Sequence, residues 1–231
     1  MQEFFQVVKE QFYMPFLLYA VIIACIVISI IKRKKHPELN WVPFYAIGYL
    51  IGEPGLVLYT RSGMDPHIAY SIQLNYENGY TFLEFILYSL FLYSYLGSLQ
   101  KKIYAALAIS FTVIFLFFTI KGNFPGPLQR PVISRLYTAE GLLLATLCIL
   151  YFTNLVKKLP VGKLTRFSPF WIAVGLLFLQ ITLLPLSLIE DYLFKNFSAY
   201  ASMLFSLYSV FYTINFSMVI YAFLCPPINQ L

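Results

Sequence analysis

Three glutamates interrupt stretches that are otherwise apolar: Glu53, Glu84 and Glu140. A charge at membrane depth costs at least ~2.5 kcal/mol to insert, so such residues ordinarily face a cavity or a partner. The chemistry open to them is narrow. They can hold a cation, exchange a proton, or hydrogen-bond one helix to the next. Helical spacing supplies their neighbours. Tyr88 follows Glu84 by one turn on the same face, and Tyr137 precedes Glu140 by three residues. Arg135 is five residues from Glu140, so it serves the group through another helix. Gln180 lies near the middle of its apolar stretch, and Tyr208, Tyr212 and Asn215 form a stripe at i, i+4, i+7. Glu53 is followed by Pro54 and Gly55, and a proline kink beside a buried acid can shape a binding site. For any one glutamate, a structural hydrogen bond to a tyrosine explains it equally well. Three at similar depth favour a shared polar cavity.

Holding these residues at depth requires helices in lipid. The chain has 231 residues, 60% hydrophobic and 11% charged, where a soluble domain carries about 25% charged residues. No aqueous core of this length could bury so much apolar surface. A helix needs about 20 apolar residues to cross a bilayer core of ~30 Å. Seven stretches meet this: 14–31, 41–60, 80–98, 103–120, 132–156, 168–189 and 199–224. The expected fold is all-α, a single seven-transmembrane-helix bundle over residues 1–231. Asn75, Asn78 and Gly79 assign 61–79 to a loop, and the run GNFPGPLQRP reads as another. From helix centres and a rise of 1.5 Å per residue, Glu53, Glu84 and Glu140 lie ~4, ~8 and ~6 Å to the outer side of the midplane. The pocket is thus expected to open outward.

Sidedness follows from Lys and Arg. Lys32, Arg33, Lys34, Lys35, Lys101, Lys102, Lys157, Lys158, Lys163 and Arg166 fall on one side, and Lys9, Arg61, Lys121, Arg130, Arg135 and Lys195 on the other. Positive-inside puts the first side in the cytoplasm, with the N-terminus out and the C-terminus in. The first apolar run ends in Lys32-Arg33-Lys34-Lys35-His36, as a stop-transfer helix does and a signal peptide does not. Helix two opens Pro43-Phe44-Tyr45 with Gly48 beyond; helix six opens Pro169-Phe170-Trp171 with Gly175 beyond. Helices 1–3 and 5–7 can therefore be read as a 3+1+3 parallel repeat, a recurring transporter device. The plainer reading is that proline is common at helix starts.

Other chemistries find little support. The net charge of +6 sits in short runs between apolar stretches, which suits membrane flanks rather than nucleic acid. Cys25, Cys148 and Cys225 lack metal spacing and read as buried thiols. Two histidines do not make a zinc site, and no hydrolase, P-loop or dinucleotide motif occurs. Helix seven has no lysine for a retinal Schiff base. No catalytic residue, metal or cofactor is assigned. Phe12, Tyr13, Trp41, Tyr59, Tyr80, Tyr104 and Trp171 read as interfacial anchors.

The stretches YTFLEFILYSLFLYSYLGSLQKKIY (80–104) and LYFTNLVKKLPVGKLTRFSPFWIAVGLLFLQ (150–180) resemble a group of small bacterial seven-helix integral membrane proteins. There an acidic residue opens helix three, a basic turn follows it, and a Phe-Trp-Ile run opens helix six. The resemblance implies a sensory or accessory role beside signalling systems and carries over no functional residue. The expected function is receptor-like. Glu53, Glu84, Glu140, Tyr88, Arg135, Gln180, Tyr212 and Asn215 would bind a small ligand or cation in an outward-facing pocket. The protein would sit in the lipid bilayer of a bacterial inner membrane and act through a membrane or cytoplasmic signalling partner. The alternative is a small proton- or cation-coupled transporter. An intramembrane enzyme comes third, since buried carboxylates can act as acid and base but nothing marks a substrate.

Overall fold

The computed structural model describes residues 13–61, 66–122, 129–158, 164–196 and 198–226. Seven α-helices make up these residues: α1 (Tyr13–Lys32), α2 (Val42–Arg61), α3 (Pro66–Tyr93), α4 (Ser98–Gly122), α5 (Gln129–Lys158), α6 (Ser168–Asn196) and α7 (Ser198–Leu224). A single 3-10 turn, Pro37–Leu39, joins α1 to α2, and no strand occurs among the described residues. Ser98–Phe117, Leu136–Lys157, Ser168–Ile189 and Ser206–Leu224 are long and apolar enough to cross a membrane; Phe16–Lys32 is a shorter apolar helix. The fold is thus all-helical, with four membrane-spanning-capable helices.

Each helix buries a stripe set by its 3.6-residue period. In α1 the stripe is Leu18, Ile22, Cys25 and Ser29; in α2 it is Val42, Tyr45, Ala46 and Tyr49; in α7 it is Asn215, Phe216, Val219, Ala222 and Phe223. The opposite faces carry exposed apolar residues, such as Phe44, Leu90, Leu99, Ile109 and Ile181. In water such faces would be covered by a partner or would aggregate; in lipid they are solvated. Cys25 and Cys148 are both fully buried and unpaired. Neither should react with a maleimide in the folded protein, and both should react after denaturation. Rapid labelling of either in the folded state would contradict this packing.

Neighbouring helices form a ring: α1 packs on α2, α2 on α3, α3 on α5, α5 on α6, α6 on α7, and α7 back on α1. Helix α4 stands outside, against α3 and α5. Only 17% of its span is buried, against 44% for α5, and Tyr104, Phe111 and Phe115 are its inward residues. Successive helices alternate in direction. Tyr95 after α3 packs on Tyr151 late in α5 and on Phe167 before α6, while Gln100 at the start of α4 bonds Asn154. Lys32 to Lys35, Lys101, Lys102, Lys157 and Arg166 all flank this same end, called here the basic end.

Helix α3 departs from the sequence expectation. It begins at Pro66 and absorbs most of the stretch assigned to a loop. The Tyr76 hydroxyl donates to the Gly48 carbonyl (3.0 Å), its ring lies against Gly52, and Asn78 is buried. Packing against α2 thus overrides the turn preference of Asn75, Asn78 and Gly79. Helix α6 likewise runs beyond 189 to Asn196, with Pro185 inside it.

Candidate functional site

Tyr76, Tyr80, Glu84 and Tyr88 follow one another at four-residue spacing along α3, a row that one helix face presents together. Glu84 is 3% exposed. Gln180 Nε2 on α6 donates to Glu84 Oε1 (3.4 Å), and Asn215 Nδ2 on α7 donates to the Tyr88 hydroxyl oxygen (3.3 Å). Glu140 on α5 is 5% exposed and within electrostatic reach of Glu84. Tyr212 on α7 lies within electrostatic reach of both carboxyls. Six residues singled out by spacing therefore come together: Glu84, Glu140, Tyr88, Gln180, Tyr212 and Asn215. The remaining two, Glu53 and Arg135, have side chains outside the described residues.

Two glycines permit this convergence. A Cβ on Gly141 would come within 3.0 Å of Gln180 Oε1, so its absence lets the amide cross from α6 past α5 towards Glu84. A Cβ on Gly175 would meet Asn215 Oδ1 and Met218 Cβ, both at 2.9 Å, so α6 and α7 approach closely there. Pro185 has no N–H for the Ile181 carbonyl, one residue from Gln180.

The two carboxyls share one level. Tyr95 and Tyr151 pack ring to ring at 5.6 Å, and Glu84 and Glu140 each lie eleven residues before those tyrosines on helices that run the same way. At 1.5 Å per residue both sit ~16 Å from the basic end. The outward displacement expected for Glu84 is not found: α3 is longer than expected and centred near residue 80, so Glu84 lies ~7 Å to the basic side of that centre.

Aromatic rings wrap the cluster. Tyr45 stacks on Tyr80 (5.7 Å) and Phe216 (5.5 Å), and Tyr49 lies 4.9 Å from Tyr212. Trp41 packs on Tyr88 at 5.0 Å. Sequence reasoning treated Trp41, Tyr80 and Tyr104 as interfacial anchors; the structure buries the Trp41 and Tyr80 polar atoms and bonds the Tyr104 hydroxyl to Ser89. Trp171 is different: its Nε1 donates to the Thr165 carbonyl at the basic end (2.8 Å), as an anchor can. The missed signal was the four-residue spacing of Trp41, Tyr45 and Tyr49, which matches that of the α3 row.

Several polar atoms here are buried without a hydrogen-bond partner: Tyr45 OH, Tyr80 OH, Thr81 Oγ1, Glu140 Oε1 and Asn215 Oδ1. The Tyr45 hydroxyl lies near the Glu84 carboxyl and the Tyr80 and Tyr88 hydroxyls but makes no bond of standard geometry with any of them. Neither Glu84 nor Glu140 forms an ion pair among the described residues. The donor set is all oxygen and amide, suited to a hard cation or a protonated amine. No group of three His, Cys, Asp or Glu that could hold a metal occurs among the described residues.

A second polar group lies at the basic end. His36 is 1% exposed, with Nδ1 3.3 Å from Glu38 Oε1 and its ring edge-on to Phe223. Ser168 Oγ donates to the same Glu38 oxygen (3.2 Å). The carboxylate stands between hydroxyl and imidazole, so the imidazole cannot activate the serine as it does in a hydrolase triad. The group ties the α1–α2 connection to the start of α6.

No family model matches the chain, and no curated protein or solved structure is significantly similar to it.

Proposed function

We propose that this chain is a small cation- or proton-coupled transporter with its coupling site at Glu84 and Glu140. The carrying observation is the cluster of buried polar atoms without a hydrogen bond of standard geometry, around two carboxyls that form no ion pair among the described residues. Buried polar groups are ordinarily satisfied, and carboxyls at membrane depth ordinarily mark ion or proton paths. Tyr45, Tyr80, Tyr88, Gln180, Tyr212 and Asn215 would orient the bound ion or its substrate.

The helix neighbours accommodate the repeat on which the transport reading draws. Exchanging α1, α2 and α3 for α5, α6 and α7 maps the ring contacts onto themselves: α1·α2 becomes α5·α6, α2·α3 becomes α6·α7, and α3·α5 becomes α7·α1. Helix α4 falls outside the exchange. Any ring of six successive helices allows this exchange; a 3+1+3 repeat, in which two halves would rock about a shared midplane site, fits the ring without being singled out by it. The bonds from Gln180 to Glu84 and from Asn215 to Tyr88 cross between those halves.

In this reading all seven helices span the membrane, and the basic end is cytoplasmic by the positive-inside rule. Reporter fusions after residues 35, 101, 160 and 231 should all report cytoplasm. An external signal at 160 would invert α5 to α7 and remove the parallel repeat. The site itself is tested by thermal unfolding of the purified protein across pH with sodium, potassium or choline chloride. The wild type should show a pH or cation dependence that Glu84→Gln and Glu140→Gln each weaken. Identical profiles for all three proteins would reduce the cluster to a structural contact.

A further inference from the structure

Where α2 begins and α3 ends, a cavity of about 280 Å³ opens at the basic end. Its walls include Glu38, Trp41, Phe91 and Tyr95, with Leu87 and Leu90 on one side. The rings adjoin, Trp41 to Phe91 at 5.4 Å and Phe91 to Tyr95 at 5.6 Å. Glu38 is the one charged lining residue, although the chain around it is basic. Burial, and secondarily the Glu38 charge, hold the Tyr95 hydroxyl above its ordinary pKa, so this wall stays a neutral ring. Both described contacts of Glu38, with His36 and Ser168, fall on Oε1. Trp41 Nε1 is buried without a partner. Leu90 is 67% exposed and continues the apolar face that lipid would cover.

We infer that this cavity binds an organic ammonium group carried on an apolar tail, the chemistry of a zwitterionic phospholipid headgroup. Three aromatic side chains and one carboxylate line the cavity, the residue types that ammonium ions favour. Leu87 and Leu90 offer a path for the chain. A cavity of this size suits a headgroup rather than a single water. The site adjoins the glutamate cluster through Trp41, which lines the cavity and packs on Tyr88.

The chain has two tryptophans, so Trp171→Phe leaves Trp41 as the only one. This protein would be placed in phosphatidylglycerol nanodiscs, which offer no ammonium, and its emission followed as phosphatidylethanolamine or phosphatidylcholine is added. A saturable change is expected, with about tenfold weaker response for Glu38→Gln. Should Glu38→Gln elute as aggregate, Tyr95→Leu removes a wall but keeps the charge, and is expected to weaken the response as well. Soluble ethanolamine or tetramethylammonium forms the second arm. A response to these alone would support the ammonium site and assign it to a free amine; a response to lipid alone would assign it to the headgroup. No response in either arm, or equal responses from wild type and both cavity variants, would overturn the inference.

Discussion

Glu84→Gln is expected to abolish cation- or proton-coupled activity while leaving the protein folded. Glutamine keeps the side chain's shape and an acceptor for Gln180 Nε2, which donates to Glu84 Oε1 across the ring. It cannot balance a cation's charge or release a proton. Glu84→Ala should behave differently. It opens a void among Phe85, Tyr88 and Tyr45, all buried, and strips the Gln180 amide of its acceptor. A cost of roughly 3 kcal/mol in stability follows from the combined cavity and lost hydrogen bond. Thermal unfolding of the two variants beside the wild type checks both statements. Equal destabilisation by glutamine and alanine would show that the negative charge itself holds the fold together.

The second large effect is expected at Gly175. Alanine there places a Cβ 2.9 Å from both Asn215 Oδ1 and Met218 Cβ, closer than real Cβ contacts come. The main relief is for α6 and α7 to move apart or for Asn215 to turn away. Overpacking of this kind costs about 1–3 kcal/mol, and a turned Asn215 loses its bond to Tyr88. Gly175→Ala should therefore lower both stability and activity, and Gly175→Leu should prevent recovery of folded protein. Gly79→Ala is the control: nothing lies within 4 Å of a Cβ at that position, so it should be neutral or slightly stabilising. Unfolding midpoints in one detergent compare the three. A Gly175→Ala midpoint equal to the wild type would mean that α6 and α7 pack more loosely than described.

The helices were largely legible because lipid imposes a severe rule: long apolar runs, charged breaks. Their ends follow the sequence reading closely for α1 and α7, where a lysine or a proline pair ends the run. The start of α3 was not legible. Asn75, Asn78 and Gly79 have loop propensities, and only the contact of Tyr76 with Gly48 and Gly52 reveals that α2 supports a helix there. The carboxyls were legible for the same reason as the helices, since an acid inside an apolar run has few explanations. The aromatic ring about them was hidden by abundance. With 19 tyrosines and 23 phenylalanines in the chain, Tyr45 and Tyr49 do not stand out by type, only by register. Glu38 was hidden in another way. In sequence it follows five basic residues and reads as part of a solvated loop, yet the fold lays it against Ser168, 130 residues away. Such long-range pairing leaves no local trace.

In the function proposed, Glu84 and Glu140 couple a cation or proton to movement across the membrane. The most direct measurement is the charge displaced when proteoliposomes on a solid-supported membrane meet a panel of small solutes, with and without a pH or sodium gradient. A transient current is expected for at least one solute with the wild type, dependent on that gradient and lost in both Glu84→Gln and Glu140→Gln. A transient that survives in both variants, or a solute that stabilises the wild type against heat but moves no charge under any gradient, would contradict it.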